Sequence, residues 1–392
     1  MALAGLDGSH RVYSRDRALF AAATFFYWAS LYLYVPILPV YAESLVGTLS
    51  LVGVVIAAYA VPQLLLRIPL GLRFDALTHR KPLVVASLLM CVIGALGLAV
   101  ADDVWLLSLA RAVTGVGAAG WVAFTVFFAG YTAASHAARA IGSINAINQV
   151  ALVAATGAGG FISDTLGPEA VFYGAAALAL MGLLLVGLAR EPRGEARKAS
   201  RPERFSFILT RPLLIAAAVM AVLLQFATFA SVFGFVPVYG AGIGATSSEL
   251  GVITMLALGA AALAAYFSVR LAERCGYAPA LVVGAVILGA TLLCVPATRT
   301  PMELGMVQFA SGLGRGSLST LLMALAIRSA PPGARATAMG IYQATYAIGM
   351  LAGPLISGAL ADNIELATVF HLSAVLSFVV ALMACHPVVR RA

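Results

Sequence analysis

The chain has 392 residues, of which 62% are apolar and only 10% charged, with a mean hydropathy of +0.99. A soluble domain carries about 25% charged residues, so water is not the main solvent; at roughly 20 apolar residues per crossing of a bilayer, the length provides about twelve spans joined by short loops. The formal charge of +8 does not point to nucleic acid, because the basic residues fall in the short segments between apolar runs.

The first apolar run, Ala18 to Tyr41, follows Arg15 and Arg17. It is too long for a signal-peptide core and no small-residue cleavage pattern follows it, so it is expected to be a retained span. Further spans are predicted at 50 to 72, 82 to 101, 104 to 129, 138 to 163, 169 to 189, 212 to 239, 249 to 270, 278 to 297, 302 to 327, 335 to 361 and 366 to 387. With the N-terminus placed in the cytoplasm, 20 of the 24 basic residues lie on inner segments, Arg67, Arg111 and Arg315 lie within spans, and Arg299 alone lies outside. This bias sets orientation during insertion. A multi-pass protein of the cytoplasmic (inner) membrane is expected, with both termini in the cytoplasm. The outer loops carry acids instead, among them Glu43, Asp103, Asp164, Glu249 and Asp362.

The longest polar stretch, 190–211, holds seven basic and three acidic residues with Pro192 and Pro202, and is read as a cytoplasmic linker. It divides the chain into an N-terminal six-helix bundle, 1–189, and a C-terminal one, 212–392. The halves match at a nearly fixed offset: Gly53 with Gly251 and Asp75 with Glu273 at 198, Gly115 with Gly312 and Gly117 with Gly314 at 197. Such a parallel duplication places a substrate path between the halves.

Between spans 2 and 3 runs Gly71-Leu-Arg-Phe-Asp75-Ala-Leu-Thr-His79-Arg80-Lys81, and span 4 contains Arg111-Ala-Val-Thr114-Gly115-Val-Gly117. The first resembles the loop signature of the major facilitator superfamily, with Ala76 and Thr78 departing from it; the second is similar to that family's arginine-glycine signature. Gly159 and Gly160 in span 5, and Gly349, Gly353, Pro354 and Gly358 in span 11, resemble the glycine-proline signature of its exporters, although Thr156 stands where the first copy would have proline. The resemblance implies an all-α membrane fold of twelve helices in two pseudosymmetric bundles that rock around a central site, with export the favoured direction. It further implies gating by Asp75 and Arg80, and by the repeat copy Glu273 and Arg274. Independently of the family, small residues at four-residue spacing let helices approach closely where lipid supplies no hydrophobic drive, which marks Gly115, Gly117, Gly159, Gly349, Gly353 and Pro354 as packing positions.

An arginine inside a bilayer usually faces a partner or a cavity. Arg67 lies close enough to the inner edge to snorkel, whereas Arg315, thirteen residues before Arg328, is nearest the midplane. All sixteen acids fall in loops or near span ends, so Arg315 has no expected carboxylate partner. Arg315 and Arg111 could therefore receive an anionic group of a substrate, or could bond to carbonyls and neutral side chains such as Gln308, Asn145 or Tyr342. Tyr32, Gln225 and Gln343 complete the expected substrate-binding set. Asn145 and Gln343 occupy corresponding positions, 198 apart.

Cys91, Cys275, Cys294 and Cys385 are far apart, so neither a disulfide framework nor a metal site is implied. No nucleophile elbow or phosphate-binding loop appears, which disfavours a membrane enzyme or receptor. The expectation is a monomeric secondary transporter without a cofactor, whose partners are the lipid bilayer, a small organic solute and protons as a candidate coupling ion. An organic-anion carrier using the intramembrane arginines is the alternative.

Overall fold

The computed structural model describes residues 3–74, 79–132, 136–192, 211–331 and 335–390, without the side chains of 3–13, 68, 70–74, 137–138 and 336. Every element formed by these residues is helical. The first half comprises α1 (Leu3–Tyr32), α2 (Leu38–Val46), α3 (Leu49–Ala58), α4 (Ala60–Phe74), α5 (Lys81–Val100), α6 (Val104–Ala119), α7 (Trp121–Ala129), α8 (Ala137–Leu166) and α9 (Pro168–Leu188). The second comprises α10 (Pro212–Ala230), α11 (Val236–Gly242), α12 (Ser247–Cys275), α13 (Tyr277–Cys294), α14 (Pro301–Arg328), α15 (Arg335–Asn363), α16 (Leu366–Ala384) and the short α17 (Pro387–Arg390).

These helices form twelve spans. Eleven are long and apolar enough to cross a bilayer by length and composition. The first is divided: α1 ends at Tyr32, a turn occupies Leu33 to Ile37 around Pro36, and α2 carries the span onward. Proline removes a backbone donor and clashes with the preceding turn, which accounts for the break. The seventh span is interrupted by a π-helical segment, Ser231–Phe235, ahead of Pro237. The two interruptions lie 198 residues apart, so the repeat seen in the sequence is also a repeat of backbone irregularity.

Local chemistry fixes the helix ends. Asp103 caps α6 by accepting from the N–H groups of Trp105 and Leu106 at 2.7 and 3.0 Å. Thr246 and Glu249 form a reciprocal capping box at the start of α12, satisfying donors that the helix itself cannot. Gly167, at φ 90°, turns the chain from α8 into α9 immediately before Pro168; a side chain would be strained there.

The first half is centred on stacked rings, with Phe20 on Phe127 at 4.5 Å and Tyr27 on Phe124 at 4.2 Å. Tyr27 Oη donates to the Gly117 carbonyl at 2.8 Å. The second half is packed mainly from aliphatic side chains of α10, α13 and α14, including Leu214, Leu281, Leu288, Leu318 and Leu322. The halves meet along two seams, α8 against α12 and α15 against α3 and α4. We call the end where Arg190 and Arg211 emerge the linker face, and the opposite end the distal face. Linker residues 193–210 and Asp75 lie outside the described residues.

Candidate functional site

The three intramembrane arginines come from α4, α6 and α14 and converge on tyrosines at the centre. The Tyr32 phenol is within electrostatic reach of both Arg111 and Arg315, and the Tyr59 phenol within reach of Arg111 and Arg67. Each guanidinium is held by neutral groups. Arg111 donates to Tyr34 Oη at 3.0 Å and lies over the Tyr59 ring, 4.3 Å from its centroid, a cation-π contact of about 0.5–2 kcal/mol. Arg315 donates through Nη2 to the Ala257 carbonyl at 2.9 Å, while its buried Nη1 has no partner. No carboxylate among the described residues pairs with any of the three.

Arg67 departs from the sequence expectation. It does not snorkel to the linker face; it donates to Tyr346 Oη on α15 at 2.6 Å and to Gln63 Oε1 one turn back. The first of these bonds joins the two halves. A guanidinium has five donors in a fixed fork, which lets one arginine serve both a partner on its own helix and one opposite.

Aromatic rings continue across the interface. Trp121 meets Trp28 at 5.1 Å, Trp28 meets Tyr32 at 5.9 Å, and Tyr32 meets Phe233 of the second half at 5.8 Å. Phe233 meets Phe229 at 5.1 Å, and Phe229 stacks on Tyr59 of the first half at 6.4 Å. This chain of rings, with the arginines beside it, is the candidate site.

The remaining expected residues are more scattered. Gln308 is fully buried on α14 with neither amide atom bonded, and Ser311 one turn on is likewise unpaired. Tyr342 is buried against Tyr346 at 5.4 Å. Gln225 and Gln343 are half-buried, and Asn145 is exposed. Of the expected gating residues, the backbone N–H of Arg80 donates to Glu191 at the start of the linker segment. Glu273 and Arg274 are exposed in the last turn of α12, where Arg274 borders an apolar groove of about 720 Å³ between α12, α13 and α14 that includes none of the three central arginines.

Glycines set the helix contacts around this centre. Gly115 lies against the Tyr59 carbonyl, Gly117 against Cys91 and Ser87, and Gly159 against Leu33 at the break in the first span. Gly349 and Gly353 lie against the backbones of Val222 and Phe226. Four others meet the opposite half: Gly53 approaches the Pro354 carbonyl, Gly358 that of Leu49, Gly160 that of Ser247 and Gly251 that of Thr156. All four contacts are toward the distal face. On the same two long helices near the linker face, Gly142 and Gly340 have nothing within 4 Å of the position a Cβ would take. The halves are thus in close glycine contact distally, and these two glycines near the linker face make no such contact.

The family model described as Major Facilitator Superfamily matches residues 20–246 and 223–391. The chain belongs to that superfamily. It is 25% identical over 343 residues to the inner membrane transport protein YajR of Escherichia coli (strain K12), covering 84% of this chain and 73% of that protein. It is 27% identical over 225 residues to the multidrug resistance protein MdtG of Klebsiella pneumoniae (strain 342), a match that takes in 55% of this chain and about half, 54%, of the relative's length. A multi-drug resistance efflux pump PmrA homologue of Lactococcus lactis subsp. lactis (strain IL1403) is 26% identical over 215 residues, 53% of each chain. Among solved structures, a bacterial homologue of the human lysosomal transporter Spinster, inward-facing and unoccupied, shares the fold at a TM-score of 0.80 with 16% identity, covering 94% of this chain and 96% of that one. The protein is a multi-pass membrane transporter of this fold.

Two features escaped the sequence reading. The sequence places Arg67 by its distance from the membrane edge, although Gln63 one turn earlier is a signal of an inward role. Asp164 and Asp362 were read only as outer-loop charge, although they share the repeat offset of 198.

Proposed function

We propose that the chain is an alternating-access secondary carrier that exports a small amphiphilic organic solute from the cytoplasm. The observation that carries this reading is the run of rings from Trp121 to Tyr59, which passes through both halves at the level of the three arginines. Flat apolar faces beside fixed cationic donors suit a ligand with an aromatic or acyl body and one polar end. Close contact of the halves at the distal face supports loading from the linker face, and the concentration of basic residues there supports a cytoplasmic placement of that face. Two relatives named for drug resistance or efflux support outward direction.

A second reading is favoured by one observation: Arg315 keeps a buried Nη1 without a partner and no carboxylate neutralises it among the described residues. An uncompensated buried charge is costly, and an anionic group on the substrate would offset that cost. The solute class is then an organic anion. In proteoliposomes, a radiolabelled aromatic acid and its uncharged amide analogue separate the readings, with and without an imposed pH gradient. Preferential flux of the acid, lost in Arg315→Gln, supports the anion carrier. Equal flux of both that survives this substitution supports the broad exporter, and gradient-independent flux removes proton coupling. Absence of flux for either compound class across a panel of such pairs counts against the carrier reading itself.

A further inference from the structure

The distal seam is closed by more than glycine contact. Asp164, at the end of α8 in the first half, accepts from the backbone N–H groups of Ser247 and Ser248 at 3.0 and 2.8 Å, at the start of α12 in the second half. Asp362, at the end of α15 in the second half, accepts from the N–H groups of Leu49 and Ser50 at 2.8 and 2.7 Å, at the start of α3 in the first half. Each carboxylate uses one oxygen per N–H. The hydroxyls of Ser248 and Thr246 bond to Asp164, and that of Ser50 bonds to Asp362. Every member of one set lies 198 residues from its counterpart in the other: Asp164 and Asp362, Ser247 and Leu49, Ser248 and Ser50.

A helix start presents N–H groups without intrahelical partners and a partial positive charge. Such an end is ordinarily capped by a residue just before it in the chain. Here the caps come from the other half, more than 80 residues away in one case and more than 300 in the other. They can therefore hold only while the two halves touch distally. Directly beneath them lie the four tight glycine contacts, where a Cβ on Gly251 would be 2.8 Å from the Thr156 carbonyl and one on Gly358 would be 2.5 Å from that of Leu49.

We infer that Asp164 and Asp362 are the twin positioning residues of the distal gate, each capping a helix of the opposite half so that the seam is held shut while the linker face is open. The inference rests on the alternating-access reading for its purpose; the latch itself is a property of the fold. The two copies are not equal. Thr246 and Glu249 cap α12 from within their own half, whereas Thr48, the counterpart of Thr246, makes no side-chain cap to α3. The first turn of α3 therefore depends more heavily on Asp362 than that of α12 does on Asp164.

The test is a distance measurement between spin labels in the full chain in lipid, with the four cysteines replaced by serine. Labels at Leu166 and Ile364 report the distal face, and labels at Arg139 and Arg335 the linker face; all four positions are exposed. Asp164→Ala and Asp362→Ala should each raise the ratio of distally open to distally closed molecules roughly five-fold, the weight of a lost helix cap. The larger change is expected for Asp362→Ala. The double variant should show roughly the product, because the sites are separate and bias one equilibrium. Asp→Asn variants, which keep one acceptor oxygen, should fall between. A purely structural role would lower the melting temperature without lengthening the distal distance or shortening that at the linker face. Unchanged distance populations in a folded double variant overturn the inference. Shifted populations without solute flux in any assay leave the latch standing and remove the carrier reading.

Discussion

The two ends of α8 and α15 carry the same residue type in opposite circumstances. Gly160 and Gly358 are pressed against backbone of the other half at the distal end, while Gly142 and Gly340, near the linker end of the same helices, face empty space. A glycine in close contact removes the side chain that would hold two helices apart. Gly142 and Gly340 make no such contact in the present arrangement. Glycine near both ends of these helices would permit close approach at either, and here the close contact is made at the distal end.

Bulk added at each end separately tests whether the two ends act independently. Gly160→Val with Gly53→Val places side chains where Ser247 and Pro354 carbonyls now sit. Overpacking of this kind costs about 1–3 kcal/mol per site, equivalent to roughly a 5- to 150-fold loss in the distally closed population for each substitution. Distal spin-label distances should lengthen and solute flux should fall in step. Gly142→Val with Gly340→Val should leave the distal distances and the thermal stability within about 0.5 kcal/mol of the parent, yet still reduce flux by hindering closure at the linker face. If both pairs acted alike on the distal distance, the two ends would not be independent and the comparison would fail.

Much of this arrangement is legible in the sequence. The spans follow from apolar length, and the two-fold relation from glycines and charges kept at an offset of 197 or 198. Arg315 could be placed near the midplane by counting residues from Arg328. What a linear reading does not supply is the partner across the interface. Arg67 and Tyr346 are 279 residues apart, and no local period or propensity links them; only the packing of α4 on α15 does. For Arg111 the sequence leaves open a substrate anion or carbonyls and neutral side chains such as Gln308, Asn145 or Tyr342; Tyr34 and Tyr59 surround it. The breaks lie beside Pro36 and Pro237, but spans 18 to 41 and 212 to 239 are expected to be continuous.

A smaller effect is expected at mid-depth, where Arg67 joins the halves through Tyr346. Tyr346→Phe removes the acceptor and leaves Arg67 its bond to Gln63, so a loss of about 1.5 kcal/mol, the lower end for a hydrogen bond to a charged group, is the expected outcome. It should appear as widening between labels at Arg139 and Arg335 with the distal pair unchanged. Arg67→Gln should widen the same pair. A change confined to the distal pair would mean that the central tie and the distal seam act as one unit, contrary to the division drawn between the ends.

The smallest effect separates the two distal seams from each other. Thr246 Oγ1 accepts from the Glu249 N–H at 3.2 Å, and Glu249 returns a bond to the Thr246 N–H at 2.8 Å. Thr48, at the matching place, makes no such bond, since Leu51 stands where the second half has Glu249 and cannot complete the box. Thr246→Ala should therefore cost about 0.5–1 kcal/mol in thermal unfolding, whereas Thr48→Ala should cost nothing measurable. Because Thr246 also bonds to Asp164, the two substitutions should not be additive: in a background already carrying Asp164→Ala, Thr246→Ala removes only the capping box. Equal effects of the two threonine substitutions would mean that α3 finds a cap of its own, and that the greater dependence assigned to Asp362 is mistaken.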